Sequence, residues 1–336
     1  MPNLPKPRLR RATRTRGADT HAAEPERPNV EIIEASVEGA PALRWVNIER
    51  PTLADRAWLE EHFDFHHLDY EDVFSRNQRP KVDEYDDYLF VVLHFPAFDK
   101  SVGRLNAAEL DVFVGPDFVV TLPNQPIQPL EYLFERCRSR EEVRDGLFGK
   151  GPGYLLYKIV DDSVDASFPM LRKMGNKLER LEEDIFEGNS SSEIVRDLSN
   201  VKQEIINFRK IVRPQRAALK DLEATRRYIP EDLEIYFDDI NDASERVWDM
   251  LENFKEVVEA LESTNEAVIS HRLNDTFRVL TAISVIVLPL TLIASIFGMN
   301  TRVPGEQSIV GFWAVVVVMV VVLGAMIGIF KKRGWL

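Results

Sequence analysis

The chain has 336 residues and the composition of a globular protein, with 45% hydrophobic and 29% charged residues. This balance excludes a wholly disordered chain and a transporter built from many membrane helices. The formal net charge of −13, from 55 acidic and 42 basic residues, argues against nucleic acid as a partner and favours cations. The single cysteine, Cys137, excludes internal disulfides and cysteine-based zinc sites.

Residues 1–30 form a basic segment rich in Arg and Pro, without the apolar stretch of a secretory signal. Its clustered arginines are Arg8, Arg10, Arg11, Arg14 and Arg16. We predict a disordered tail, because the segment has too few apolar residues to bury a core. Contact with anionic lipid headgroups is a second interpretation, and an Arg-rich organelle transit peptide is a third.

Residues 31–150 carry mixed strand and helix signals, which predict a mixed α+β domain on the cytoplasmic side. Three runs of strand-forming residues are Ala42–Ile48, Tyr88–Phe95 and Leu110–Leu122, the last broken into a hairpin by a Gly-Pro-Asp turn. Thr52 followed by Asp55 resembles a capping box that opens a helix, and His67–Phe74 forms a second short helix. The chain shows no phosphate loop, nucleophile elbow or catalytic triad, so we do not expect an enzyme.

Residues 151–230 predict an antiparallel helical hairpin with coiled-coil-like packing. Apolar residues recur at steps of three and four in two runs: Phe168, Leu171, Met174, Leu178, Leu181 and Ile185, then Ile194, Leu198, Val201, Ile205, Phe208 and Val212. The same step continues in a third helix that begins near residue 231: Ile240, Val247, Leu251, Phe254, Val258 and Leu261. No helix-breaking signal precedes the apolar tail, so one helix of about 100 Å is predicted over residues 231–298.

Two apolar segments close the chain, Val279–Phe297 and Ile309–Phe330, and each is long enough to span a bilayer. The short loop between them, residues 299–308, requires the two spans to be antiparallel. Basic residues flank the ends of the two spans that lie away from the loop, including the terminal segment 331–336. Arg302 is the one basic residue in the loop. The positive-inside rule therefore predicts that both termini of this multi-pass protein are cytoplasmic.

One face of the first span is mostly polar or small. Its residues recur at steps of three and four: Asn274, Phe277, Thr281, Ser284, Leu288, Thr291, Ser295 and Gly298. Hydroxyl groups along one face indicate a surface turned away from lipid, towards either other helices or water. Two helices cannot enclose a pore, so a pore along this face requires several copies of the chain.

The segment TAISVIVLPLTLIASIFGMN, followed by a second span and a basic end, resembles the CorA family of divalent-cation channels. The Gly298-Met299-Asn300 signature stands where that family carries it. Upstream, Gln78-Arg79-Pro80-Lys81-Val82, Tyr154-Leu155-Leu156-Tyr157 and Tyr236-Phe237-Asp238-Asp239 resemble further family motifs. The resemblance covers about residues 42–336.

The resemblance implies a funnel-shaped homopentamer in which five copies of the first span line a pore. Asn300 forms a ring at the outer mouth, where Gly298 and Met299 offer backbone carbonyls, and Glu306 attracts cations from the loop. Mg²⁺ gives up its bound waters reluctantly. A ring of neutral amides suits this ion, because amides can hydrogen-bond the hydrated ion without removing its waters. The loop departs from the common form, because Thr301 follows the signature where an aromatic residue is usual.

Deeper in the pore, the resemblance assigns a polar ring to Thr291 and an apolar constriction to Leu288 and Leu280. Asn274 forms a polar ring at the cytoplasmic mouth, and Phe277 stands where a methionine is familiar. The remaining pore-lining residues are Thr281, Ser284 and Ser295.

The family's regulatory sites lie between cytoplasmic subunits. Asp72 on one subunit and Asp239 on its neighbour match one pair of metal ligands, and Glu71 and Asp161 match a looser second site. Two facing carboxylates repel each other, and a bound Mg²⁺ converts that repulsion into a bridge. High cytoplasmic Mg²⁺ is therefore expected to hold the ring closed.

We predict from these features a channel for Mg²⁺ influx in the inner membrane, with Co²⁺ and Ni²⁺ as further candidate ions. Mg²⁺ is both the transported and the regulatory ion. A zinc transporter of the ZntB type is an alternative, although Met299 argues against it. A membrane-anchored sensor or scaffold without transport is the alternative from another functional class.

Overall fold

A computed structural model of the chain describes residues 27–36, 42–75, 78–99, 104–187, 192–225, 228–299 and 308–335. Asn300, Glu306 and most of the basic amino-terminal segment lie outside these residues. The chain divides into two compact units. We call residues 1–93, 108–159 and 224–234 the sheet unit, and residues 94–107, 160–223 and 235–336 the helical unit. The domain boundaries at residues 150 and 230 stay predictions.

Six strands form one mixed sheet with the order β1-β2-β6-β5-β4-β3. Their bounds are β1 Glu31–Ala35, β2 Leu43–Asn47, β3 Lys81–Glu84, β4 Leu89–Asp99, β5 Arg104–Val114 and β6 Phe118–Pro123. Strand β2 pairs in parallel with β6, and the pairs β1·β2, β3·β4 and β5·β6 are antiparallel. The predicted hairpin is confirmed, since β5 and β6 flank the turn at residues 115–117.

Five helices accompany the sheet in sequence: α1 Leu53–His62, α2 His67–Phe74, α3 Gln128–Ser139, α4 Glu141–Phe148 and α5 Pro152–Asp165. The predicted capping box is confirmed, because the Thr52 backbone N–H donates to Asp55 Oδ2 at 2.7 Å and the Asp55 N–H donates to Thr52 Oγ1 at 3.5 Å. Stacked aromatic rings fill the core, and the centres of Phe65 and Phe113 lie 3.9 Å apart.

The helical unit contains four long helices, apart from one terminal residue each of α7 and α8. Their bounds are α6 Ser167–Phe186, α7 Ser192–Ala224, α8 Glu234–Phe297 and α9 Ile309–Lys332. The heptad positions of α6, α7 and α8 form one hydrophobic core, as the sequence predicts. Helix α8 has 64 residues and runs through Pro289. At 1.5 Å per residue it is about 96 Å long, which agrees with the predicted continuous helix.

Ion pairs join α7 to α8 along the bundle. The pairs are Lys202–Glu262, Arg209–Glu252 and Arg216–Glu245. Partners later in α7 pair with residues earlier in α8, so the two helices are antiparallel. The guanidinium groups of Arg209 and Arg216 each lie 5.1 Å from the ring centre of Trp248. These charges and the apolar heptads specify the same register.

Helices α8 and α9 each contain a segment long and apolar enough to cross a membrane. Only 11% of the apolar window of α8 and none of that of α9 is buried within the chain. Such exposure of apolar surface suits lipid or further protein and not water.

Candidate cation pathway and regulatory cleft

The polar face of α8 is exposed in the single chain. Every residue from Asn274 to Ser295 that the sequence assigns to this face is exposed, including Leu288 at 69%. Two other residues of the span are covered, since Ala282 is 0% and Ile286 8% exposed. With 100° between successive helical residues, Ala282 and Ile286 lie roughly opposite the polar face. The covered positions of this span therefore lie away from the polar face, which is left for other contacts.

Two hydroxyl groups on the polar face, those of Ser284 and Thr291, bond to their own helix. Ser284 Oγ donates to the Leu280 carbonyl, and Thr291 Oγ1 donates to the Val287 carbonyl, both at 2.9 Å. Because each hydroxyl proton is engaged by the backbone, the oxygen lone pairs remain as acceptors on the exposed side. Acceptors suit a hydrated cation, whose waters present hydrogen atoms outward.

Helix α8 ends at the start of the Gly298-Met299-Asn300 signature. The Gly298 N–H donates to the Ala294 carbonyl at 2.9 Å, and Met299 is 58% exposed. A Cβ atom on Gly298 would lie 3.1 Å from the Ala294 carbonyl oxygen, which is closer than ordinary contact. Glycine therefore lets the chain leave the helix here without crowding its last carbonyls. Asn300 and Glu306 lie outside the described residues.

The regulatory candidate Asp72 lies on α2, beside an open cleft of about 530 Å³ that α2 and β3 line. Its Oδ2 atom accepts a hydrogen bond from Lys81 Nζ at 2.8 Å, and Lys81 Nζ also donates to Asp83 Oδ2 at 2.5 Å. Burial lowers the pKa of Lys81, but the bonds to the two carboxylates outweigh burial and raise it above its ordinary value. One ammonium group thus serves two carboxylates.

A buried network fixes α2 one turn before Asp72. Tyr85 and Tyr88 donate their hydroxyl protons to the two oxygens of Asp69, at 2.9 and 2.6 Å. Burial raises the pKa of Asp69, and the two tyrosine bonds oppose that shift. The network anchors the inner face of α2 and leaves Asp72 half-buried at the cleft.

The other regulatory candidates are placed as follows. Glu71 is exposed on α2, Asp161 is half-buried on α5, and Asp239 is exposed near the start of α8. Within the described ranges, no three side chains of His, Cys, Asp or Glu come together as a metal site. Carboxylate oxygens are ligands that Mg²⁺ accepts, and the exposure of Asp239 leaves it open to ligands from outside the chain.

Asp111 is a buried acid that the sequence analysis did not single out. It is 2% exposed on β5, and its Oδ1 atom has no hydrogen-bond partner among the described residues. Burial raises its pKa well above the ordinary 3.8, and the nearby charges of Glu109 and Asp72 add to the shift. Because Asp111 is buried, it is not open to a ligand from outside the chain, unlike the exposed candidate Asp239.

Sequence reasoning missed Lys81 and Asp83 as parts of the cleft. Both lie on β3, and Asp72 lies on α2 nine residues before Lys81. Alternation along β3 places Lys81 and Asp83 on the same side of the strand, which is the one local signal that pairs them. Their contact with Asp72 depends on the placement of α2 relative to β3, which the periodicity of the sequence does not specify.

Comparison with known proteins gives a consistent family relationship. The family described as CorA-like Mg2+ transporter protein matches residues 41–332. The Cobalt/magnesium transport protein CorA of Thermotoga maritima is 30% identical over 298 residues, which are 87% of this chain and 83% of that protein. The Divalent cation transporter CmaX of Pseudomonas aeruginosa is 22% identical over 87% of each chain.

A solved structure supports the same fold. The complete structure of the CorA magnesium transporter from Methanocaldococcus jannaschii superposes with a TM-score of 0.76 and 21% sequence identity. The match covers 88% of this chain and 92% of the other. The predicted fold, an α+β part followed by long helices and two C-terminal apolar helices, is confirmed by this match and by the described elements.

Proposed function

The chain belongs to the CorA family of divalent-cation transporters, and on this premise we propose that it is a channel for Mg²⁺ influx. Co²⁺ and Ni²⁺ are further candidate ions. Entry is driven by the membrane potential, which supplies about 2.3 kcal/mol per charge for each 100 mV and therefore roughly twice that for a divalent ion. This driving force removes the need for a catalytic site.

The observation that carries the proposal is the continuous polar face of α8, which is exposed in the single chain. The hydroxyl oxygens of Ser284 and Thr291 present acceptors on this face, and the covered residues Ala282 and Ile286 lie away from it. Polar groups are costly in hydrocarbon, so a continuous polar face indicates a surface that is turned away from lipid. Several copies arranged around an axis would bring these faces together as the wall of an aqueous path.

We propose that the assembly is a homopentamer with five α8 helices around the pore. Leu288 and Leu280 are the apolar constriction, and Thr291 and Asn274 are polar rings. Both leucines are more than half exposed in the single chain, which is what a lining residue requires. The spans lie in the inner membrane, and the chain termini are cytoplasmic.

Selectivity is assigned to the ring of Gly298, Met299 and Asn300. Mg²⁺ gives up its waters reluctantly, so a neutral amide that hydrogen-bonds the hydrated ion allows passage without dehydration. A carboxylate ring at the same place would hold the ion more strongly and slow its release. Glu306 in the outer loop attracts cations to the mouth.

Regulation is assigned to carboxylates between subunits. Asp72 of one copy and Asp239 of the next would hold Mg²⁺, and Glu71 with Asp161 would form a second, looser site. A ligand that binds the closed ring better than the open one shifts the population towards closure. Falling cytoplasmic Mg²⁺ therefore opens the channel.

Mg²⁺ entry into sealed liposomes tests this proposal directly. Purified protein is reconstituted with a negative-inside potential and low internal Mg²⁺, and entry is followed with an internal indicator. We expect wild-type protein to admit Mg²⁺ and the Asn300→Ala variant to lose most of that flux. Ser308→Ala, at the other end of the loop and outside the signature, is the matched control and should retain it.

The alternatives are separated by the same assay. Clear Zn²⁺ flux without Mg²⁺ flux would favour a zinc transporter of the ZntB type. Absence of flux for every divalent cation would favour a membrane-anchored sensor or scaffold. Intact Mg²⁺ flux in Asn300→Ala would contradict the assigned selectivity ring while leaving the channel itself.

A further inference from the structure

The carboxylate of Asp72 is already paired with a cation from its own chain, the ammonium group of Lys81. The Lys81 ammonium lies 2.8 Å from Asp72 Oδ2 and 2.5 Å from Asp83 Oδ2. The Asp72 side chain is 23% exposed and that of Lys81 is 34% exposed, so the pair is neither sealed nor fully solvated. An ion pair in such a position resists displacement more than a surface pair does.

The Lys81 ammonium has a third neighbour besides the two carboxylates. Its Nζ atom lies 5.3 Å from the ring centre of Phe90, a buried residue of the neighbouring strand β4, which is within the range of a cation–π contact. Lys81 pairs in the sheet with Val92, which is also buried. The backbone of Lys81 is therefore anchored in the sheet, and its ammonium stays within reach of both Asp72 and Asp83.

Geometry puts this ammonium in competition with any metal ion at Asp72. Mg²⁺ binds carboxylate oxygen at about 2.0–2.1 Å, so on the same oxygen the two cations would be at most about 5 Å apart. At this separation they repel each other strongly in a partly desolvated cleft. Asp83 offers the ammonium a second partner once Asp72 is taken.

We propose that Lys81 is a tethered competitor for the divalent cation at Asp72. Binding of Mg²⁺ displaces the ammonium from Asp72 and leaves it paired with Asp83. The strength of the Lys81–Asp72 pair then sets the Mg²⁺ concentration at which the channel closes. This inference rests on the proposed regulatory role of Asp72 and identifies the group that tunes it.

Thermal stability of the full-length protein in detergent, measured against Mg²⁺ concentration, tests the inference without a transport assay. A ligand that binds the folded state raises the unfolding midpoint as its concentration passes the dissociation constant. Lys81→Met keeps an unbranched side chain of similar length but removes the charge. We expect it to lower the half-saturating Mg²⁺ concentration about tenfold, which corresponds to about 1.4 kcal/mol.

A matched control separates competition from a general change in charge. Arg79 is exposed, lies two residues before Lys81 and makes no ion pair with the described part of the chain. Arg79→Met changes the net charge equally and should shift the half-saturating concentration by less than about twofold, since an exposed charge is screened. Equal shifts in the two variants would overturn the proposal.

Asp83→Asn provides a second variant that does not alter Lys81. Without its alternative partner the ammonium is committed to Asp72, so more Mg²⁺ is required for half-saturation. In the Lys81→Met background the same change should have a smaller effect, because only the loss of a nearby negative charge remains. Equal effects in both backgrounds would contradict the sharing of one ammonium by two carboxylates.

The outcomes distinguish this inference from the proposed function. An unchanged or increased half-saturating concentration in Lys81→Met, with Mg²⁺ stabilisation lost in Asp72→Asn, would overturn competition and leave the regulatory site standing. Wild-type protein that gains no stability from Mg²⁺ would overturn both the competition and the regulatory site. A lower half-saturating concentration in Lys81→Met, together with loss of Mg²⁺ stabilisation in Asp72→Asn, would support the competition and the regulatory site.

Discussion

The two halves of α8 have the same helical period and opposite exposure. In the bundle, Leu251 and Val258 are fully buried against α6 and α7. In the membrane span, the corresponding steps of three and four bring Leu288 and Thr291 to the exposed side. One continuous helix therefore passes from a region that satisfies its contacts within the chain to one that does not.

The difference lies in what covers each half. Ion pairs from α7 reinforce the buried apolar face of the first half, as at Arg209–Glu252. On the second half, polar groups bond back to their own helix, as Ser284 does to the Leu280 carbonyl. A helix face whose residues make their contacts within the chain contributes to its folding. A face left exposed is available for assembly and transport.

A Leu→Ala substitution in each half of α8 should have the largest effects, on stability in the first half and on Mg²⁺ flux in the second. Leu251→Ala removes a fully buried side chain from the bundle and is expected to reduce the free energy of unfolding by about 2–5 kcal/mol. Leu288→Ala, at 69% exposed, should cost the fold of a single chain little and instead raise Mg²⁺ leak through the proposed constriction. Chemical unfolding and liposome flux, measured on both variants, separate the two effects.

A large loss of stability with Leu288→Ala would show that this side chain is covered within the chain. Conversely, an unchanged unfolding transition with Leu251→Ala would contradict the described core. Either result would remove the contrast between the halves.

The sequence predicted the bundle well because its contacts are periodic. The heptad positions of α6, α7 and α8 needed only steps of three and four to be recognised, and apart from Ile240, which is buried elsewhere, they contribute to one core. Helices α3, α4 and α5 were not predicted individually, because they are short and their apolar positions fall in segments without a long repeat.

The candidate site was only partly accessible to sequence reasoning. The polar face of α8 follows from spacing, but spacing left open whether other helices or water meet it. The Asp72–Lys81–Asp83 arrangement and the bonds of Tyr85 and Tyr88 to Asp69 join separate elements. Such contacts depend on tertiary placement, so no local pattern indicates them.

A charge change in the bundle should have the smallest effect. The hydrogen bond and ion pair with Arg216 lower the pKa of Glu245 below its ordinary 4.5. A lowered pKa means that the stabilisation is present above pH 4.5 and is lost as pH falls through the folded-state value. Because the Glu245 side chain is 36% exposed, we expect Glu245→Gln to cost only a few tenths of a kcal/mol at pH 7.

Unfolding of wild-type and Glu245→Gln protein at pH 7 and at pH 3 measures this contribution. The difference between them should shrink at pH 3 and in high salt. A difference that grows on acidification would contradict the assigned sign.

Thiol accessibility on the two sides of α8 tests the central claim most directly. Cysteine is introduced at Ser284, on the exposed polar face, or at Ala282, which is 0% exposed, and the protein is reconstituted in liposomes. The native Cys137 is buried, and burial raises its pKa to about 11, so it should react poorly with a water-soluble, cationic thiol reagent.

An aqueous cation path along the polar face predicts that Ser284→Cys reacts rapidly, that Mg²⁺ slows the reaction, and that modification blocks Mg²⁺ entry. Ala282→Cys should react far more slowly and retain its flux. Faster modification at position 282 than at 284, or modification at 284 without any loss of flux, would contradict a pore lined by this face.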